Sequence, residues 1–254
     1  MQTYIINLKT SEKRRHYMEN ILAPYSSLDV KFIEALDGRR MSEREVLAKF
    51  DVCASKDRYG RELNRGEIGC VLSHRKAFET FLKTSEPYAL ILEDDISIIR
   101  NLNELDLVEL DSILINSAPS VLFLSGDYWY YRKRGNVVSC YDALGAYAYI
   151  INRTAAQMML TYNKPFFVAD DWEIHKRNGL KLKAIQPYMV DANLNMEKLS
   201  SDVQQDQWGI NRSKMSFIEF LKSINTSLIR HFLKTLGMFE AKQRVIDGKV
   251  VSNV

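Results

Sequence analysis

The chain has 254 residues, enough for one large α/β domain or for a domain carrying a helical appendage. Hydrophobic residues make up 46% of it and charged residues 26%, which excludes a globally disordered chain, and a formal net charge of +3 is too small to point to nucleic acid as a partner. The three cysteines, Cys53, Cys70 and Cys140, are dispersed and form no CxxC pair, so their spacing indicates neither a disulfide framework nor a zinc site, and a reducing compartment fits best. No signal-peptide core opens the chain and no apolar run approaches the roughly 20 residues that span a bilayer, so the expected location is the cytosol or the cytosolic face of a membrane.

In chain order, residues 4–8 (YIINL) read as a first buried strand. Ser11 can cap the helix that follows, with Arg14 and Arg15 in its early turns. Asn7 stands near the strand's carboxyl end, so it and the arginines lie where a nucleotide sits in an α/β fold; a solvated helix face is the alternative for the arginine pair. A second strand over residues 29–33 runs into Glu34 and the Asp37-Gly38 turn. There Glu34 or Asp37 can meet a base or ribose hydroxyl, or the pair is a plain turn. Residues 39–64 read as a long polar connection with one helix over 42–50. From Gly66 to Phe81 the apolar residues keep a helical period, and Gly66, Gly69 and Ser73 lie near one face, which permits close approach of a backbone or a ligand. His74 is beside that face.

Residues 88–95 (YALILEDD) organise the rest: a buried strand delivers Glu93, Asp94 and Asp95 at its exit. Three unpaired carboxylates cannot stay inside a sheet, because burying unpaired charge costs several kcal/mol, so they emerge at the carboxyl end, where open α/β sheets bind ligands. An all-oxygen trio suits a hard cation such as Mn²⁺ or Mg²⁺ and, through it, a diphosphate; an acidic exit facing water is the alternative. A further strand covers 121–125, and residues 128–134 are dense in aromatics and cations, suited to a sugar and phosphate surface or to a hairpin. A strand at 145–151 leads to a helix over 152–162 that Asn152 or Thr154 can cap. Asp170 and Asp171 form a second acidic cluster, either a general base or dipole-favoured capping, with Trp172 placed to pack on a sugar ring. Residues 181–185 read as a last short strand. From residue 211 to 254, apolar helical stripes with interspersed lysine and arginine read as a basic amphipathic segment, for a membrane surface, a partner or the domain itself.

These motifs, in order, resemble glycosyltransferase family 25, the bacterial lipopolysaccharide-type galactosyltransferases whose relatives include the collagen galactosyltransferases. The resemblance rests on YIINL before Arg14-Arg15, on Ala35, Asp37 and Gly38 as an A-x-D-G turn, on LNRGEIGCVLSH at 63–74, on LILEDD at 90–95, on the 145–151 strand and on Asp171. It runs from residue 3 to about 195, and the GEIGC-x-LSH and LEDD blocks at this spacing are its specific part. Two departures are Asn64, where the family has Thr or Ser, and the doubled Asp170-Asp171.

The resemblance implies an α/β, GT-A-like nucleotide-binding fold with a central mixed sheet over residues 1–210; the helical C-terminal appendage over 211–254 is read from its apolar stripes alone, since no family motif lies there. The resemblance also implies an inverting hexosyltransferase, UDP-galactose-dependent by preference, acting on a lipid-linked lipooligosaccharide or lipopolysaccharide core at the inner face of a bacterial inner membrane. Asp95, Asp94 and Glu93 would hold Mn²⁺ or Mg²⁺. Asp171 would be the base, with Asp170 as its rival. Asn7, Arg14, Glu34, Asp37 and Gly38 would line the uridine and ribose end, and Gly66, Ser73, His74 and Asp94 the phosphates and donor sugar. A non-catalytic glycan- or sugar-nucleotide-binding module of the same fold and a metal-dependent hydrolase are the competing readings.

Overall fold

The computed structural model describes residues 1–115, 118–130 and 135–193, together with Leu228 and the short strands Phe239–Glu240, Arg244–Ile246 and Lys249–Val251. Its centre is a nine-stranded mixed sheet in the order β11-β6-β7-β9-β5-β8-β3-β1-β2. Strand β1 (Gln2–Asn7) pairs in parallel with both β2 (Asp29–Glu34) and β3 (Tyr88–Glu93). Strand β8 (Ala148–Asn152) runs antiparallel between β3 and β5 (Ser120–Phe123), and β9 (Lys181–Ile185) is parallel to β5. Strands β6 (Tyr128–Tyr130) and β7 (Val137–Ala143) extend the sheet antiparallel, with Phe239–Glu240 (β11) at the far edge. The ends of β1, β2, β3 and β5 therefore open on the same edge, and the antiparallel β8 starts there.

Side chains alternate between two cores, as the two-residue period of a strand demands. Tyr4, Ile6, Ala89, Ile91, Tyr149 and Ile151 face one core, covered by α4 (Arg65–Leu82) through Ala77, Phe78 and Phe81 and by α6 (Arg153–Met159). Ile5, Leu90, Leu92 and Ile150 face the other, covered by α1 (Glu12–Leu22) through Met18 and Leu22 and by α5 (Leu107–Leu114). Strands buried on both faces read as continuous apolar runs, which is why β1, β3 and β8 stand out in the sequence. A third core under the long connection joins Val46, Phe50, Tyr59 and Leu63 to Ile68, Val71 and Leu72 of α4.

The helix starts follow their capping chemistry. Ser42 and Glu45 form a capping box on α2 (Glu43–Lys49), and Asn64 and Glu67 form one on α4. Asn64 thus does the work of the family's Thr or Ser, since all three side chains accept from the N3 amide. Asn152 caps α6 by accepting from the Ala155 N–H. Helix α3 (Val52–Tyr59) lies inside what the sequence offers only as polar connection; Asp51 caps its start and Gly60, at φ 67°, ends it. Strands β4 (Ile96–Ile98) and β10 (Val190–Ala192) form a small second sheet beside the acidic exit. Helix α7 (Trp172–Arg177) follows the second acidic pair.

Trp172 is not a sugar platform: it is 1% exposed, packed edge-on against Phe123 and Tyr149, with its indole N–H donated to the Gly145 carbonyl. In the aromatic segment, Tyr128 and Tyr130 are core residues, and residues 131–134 lie outside the described residues. The helical segment expected over 211–254 also lies outside them, save for Leu228 and the three short strands.

Candidate active site

The carboxyl edge of β1 and β3 gathers the first acidic cluster. Register places Ile6 beside Glu93, so Asn7 meets the Asp94 turn. The Asn7 amide donates to Asp94 Oδ2 at 2.6 Å and to the Ser11 carbonyl at 3.2 Å. From the first turn of α1, Arg14 reaches back so that one Nη1 donates to Asp94 Oδ1 at 2.9 Å and to Asp95 Oδ2 at 3.0 Å. Arg14 is therefore not a solvated helix face; its side chain is 11% exposed. Burial pushes the Asp94 carboxyl above its ordinary range, and Arg14 and Asn7 pull it back. Asp95 also anchors the second sheet, its carbonyl accepting from the Asn193 N–H.

Beside this network, His74 is 3% exposed and fixed at both ring nitrogens. Nδ1 is 2.8 Å from the Tyr149 hydroxyl and Nε2 is 3.2 Å from Glu93 Oε1, while the imidazole stacks on Tyr149 at 5.9 Å. Cys70, one helical turn before His74, completes a cluster whose ligand atoms all lie within 4.8 Å of one another. Glu93 thus turns toward Cys70 and His74, whereas Asp94 and Asp95 turn toward Arg14.

The second doublet divides in two. Asp171 is held by Arg58 Nε and Nη2 at 2.5 and 2.6 Å and by the Tyr59 hydroxyl at 2.5 Å. Burial would raise its pKa, yet Arg58 and Tyr59 hold it below the usual carboxylate range. Asp170 has no arginine or lysine partner among the described residues. It accepts from the N–H of Gly145, which sits in the left-handed region at φ +71°. Burial lifts the Asp170 carboxyl above the ordinary range, against that amide, and Asp171 and Glu93 lift it further. A third group sits where β8 enters: the Tyr147 hydroxyl donates to Asp127 at 2.6 Å, with Asp191 at 3.5 Å.

The remaining expected residues form the wall after β2. Glu34 is exposed at the end of β2, opposite Asn7 in register. Asp37 turns to Arg39, whose hydrogen bond lowers its pKa first of all. Gly38 and Gly69 are a backbone contact: a Cβ on Gly38 would meet the Arg65 carbonyl oxygen at 1.7 Å, and one on Gly69 the Leu36 carbonyl oxygen at 2.5 Å. Ser73 is buried in the same contact, accepting from the Leu36 N–H and donating to the Gly69 carbonyl. The small-residue face of α4 thus receives a backbone at Gly69 and Ser73. Gly66 is half-buried in the helix's first turn.

Sequence reasoning missed Arg58, Tyr59, Cys70 as a neighbour of Glu93, and Tyr149. Arg58 and Tyr59 lie in the polar connection, 113 and 112 residues from Asp171. For Cys70 a signal was present, because its spacing of four from His74 puts both on one helix face.

Over residues 1–174 the chain matches the profile of Glycosyltransferase family 25 (LPS biosynthesis protein). Among curated relatives it is 38% identical over 96 residues to a glycosyltransferase 25 family member of Aedes aegypti, covering 37% of this chain and 16% of that one. It is 26% identical over 176 residues to procollagen galactosyltransferase 2 of Homo sapiens, covering 65% and 28%. With procollagen galactosyltransferase 1-B of Xenopus laevis it shares 32% over 98 residues, covering 37% and 16%. The matches thus span less than a third of these relatives' own length.

Proposed function

Because the chain belongs to glycosyltransferase family 25, we propose that it is an inverting hexosyltransferase that moves galactose from UDP-galactose to a lipooligosaccharide or lipopolysaccharide core. One observation carries the reading at the level of the site. A polar strand exit bridged by arginine (Asn7, Arg14, Asp94, Asp95) shares a sheet edge with a second carboxylate, Asp170, that no arginine or lysine neutralises among the described residues. The donor lies along Asn7, Arg14 and Asp94, with Glu34 toward the uridine and ribose, Gly66 and His74 toward the phosphates and sugar, and Asp37, Gly38 and Ser73 shaping the wall.

Asp170 takes the base role in preference to Asp171. A general base works best with a pKa drawn toward the operating pH, and burial moves Asp170 that way while Arg58 moves Asp171 the other. As the acceptor oxygen bonds to the anomeric carbon, its proton passes to the Asp170 carboxylate. The bond from that carbon to the diphosphate breaks on the opposite face, and its electron pair leaves with UDP. A hard cation, Mn²⁺ or Mg²⁺, would draw on Glu93 and Asp95, with Asp94 behind them, and would have to take Glu93 from His74 and share Asp95 with Arg14. Such ions take one or two carboxylates and fill the shell with water and phosphate oxygens, and the two Asp94 oxygens are already engaged by Asn7 and Arg14. When bound, the ion supplies positive charge against the departing diphosphate.

A lipid-linked acceptor calls for work at the cytoplasmic face of the inner membrane, and the lysines and arginines in residues 211–254 suit an anionic lipid surface. No helix among the described residues is long and apolar enough to cross a membrane. Calorimetry with UDP-galactose and UDP-glucose, each with and without Mn²⁺, and UDP release with a core oligosaccharide test the reading together. The expected result is metal-assisted binding of UDP-galactose and UDP release only with acceptor. Equal UDP release without acceptor would make the chain a hydrolase, and binding without any release would make it a non-catalytic module.

A further inference from the structure

The side chains of Cys70, His74 and Glu93 converge from two elements. Cys70 and His74 stand one turn apart on the same face of α4, and Glu93 ends β3 opposite them. Their ligand atoms lie within 4.8 Å of one another, and His74 Nε2 and Glu93 Oε1 are 3.2 Å apart. A tetrahedral centre with metal–nitrogen and metal–oxygen bonds of about 2.0–2.1 Å has ligand atoms about 3.3 Å apart, close to that separation. Tyr149 meets the other ring nitrogen of His74 and holds the ring plane, as outer partners of metal-bound histidines do. Thiolate, neutral imidazole and carboxylate sum to a charge of −2, matched to one divalent ion.

We propose that Cys70, His74 and Glu93 form a three-ligand site for a borderline-soft divalent cation of the Zn²⁺ class, with its fourth position open toward the sheet edge. A thiolate and an imidazole select such an ion over Mg²⁺. Three protein ligands with one open position is the arrangement of reactive rather than purely structural zinc. The Glu93 side chain, 29% exposed, forms the open side, while His74 at 3% closes the back. Glu93 belongs to both this set and the hard-cation set, so Zn²⁺ and Mn²⁺ compete for it. The site stands whether or not the chain transfers a sugar.

The test is titration of the chelator-stripped, reduced full chain with Co²⁺, read by absorbance. The expected result is one equivalent of tetrahedral cobalt with a thiolate-to-cobalt charge-transfer band, displaced by one equivalent of Zn²⁺. Cys70→Ser should remove that band, Glu93→Gln should weaken binding at least tenfold, and Cys53→Ser, at an exposed cysteine on α3, should leave the spectrum unchanged. Only weak six-coordinate cobalt absorption in the unaltered protein, which needs no variant to fold, would overturn the proposal. So would a charge-transfer band that survives Cys70→Ser.

Discussion

The two acidic doublets differ in how arginine is shared. At the exit of β3, Arg14 bridges both Asp94 and Asp95 with one nitrogen. Before α7, Arg58 grips Asp171, and Asp170 has amide partners but no arginine or lysine among the described residues. A pair of neighbouring aspartates is thus either two carboxylates sharing one arginine or one locked carboxylate beside another that the arginine does not reach, and the position of a single guanidinium decides which. The same residue pair in the sequence carries opposite chemistry because burial acts on every carboxylate while an arginine reaches only those it touches.

The largest effect should come from removing the proposed base. Asp170→Asn should lower transfer by about 10²–10⁴-fold, the usual weight of a general base, with donor affinity by calorimetry nearly unchanged. Asp171→Asn is the contrasting variant. It leaves Arg58 buried without its anion, so thermal unfolding should show a loss of about 3–5 kcal/mol, and Arg58→Met should cost a similar amount from the other side. A stable Asp171→Asn protein with no turnover would exchange the two roles.

A pH series sharpens the contrast. Asp171 is depressed, so its pairing stabilises the fold above the ordinary carboxylate pKa of about 3.9 and is lost as pH falls through its folded value. Asp170 is raised, so its ionisation costs stability as pH rises through its folded value. Denaturant melts of Asp170→Asn should therefore lose that penalty near neutrality, and the acid limb of the wild-type rate profile should lie above the ordinary carboxylate range. The smallest effect should be Tyr59→Phe. Removing one hydrogen bond to a charged group should cost about 1.5–3 kcal/mol by chemical denaturation while Arg58 keeps Asp171 in place.

What the sequence revealed follows the range of the interactions. Strands β1, β3 and β8 were legible because burial writes itself into consecutive residues, and β9 because its burial alternates with the strand period. Asn7 and Asp94 were each legible at the carboxyl edge of the sheet, because strand exits converge there by topology alone, but the Arg14 side chain that joins them was not. Helix α3 was not, since Asp51 and Gly60 bracket a segment whose apolar face is only Tyr59 and a few partners of the third core. The capture of Asp171 by Arg58 was illegible for another reason: no local pattern links residues 113 apart. Trp172 misled because an aromatic beside a carboxylate looks like a sugar platform until the edge-on rings of Phe123 and Tyr149 enclose it.

The contact between Gly38 and α4 bears on how the molecule opens. Residues 35–37 belong to no strand or helix, yet the Leu36 amide is donated to Ser73 in the middle of α4. Loops usually exchange their amide hydrogens through cheap local openings. Here Gly38 and Gly69 bring the backbones of the loop and the helix together, and the buried Ser73 hydroxyl holds the Leu36 N–H, so exchange at Leu36 should require α4 and the loop to loosen together. The segment that follows Glu34 therefore belongs to the same cooperative unit as the helix bearing His74, and slow exchange at Leu36 would report the integrity of that whole side of the cleft.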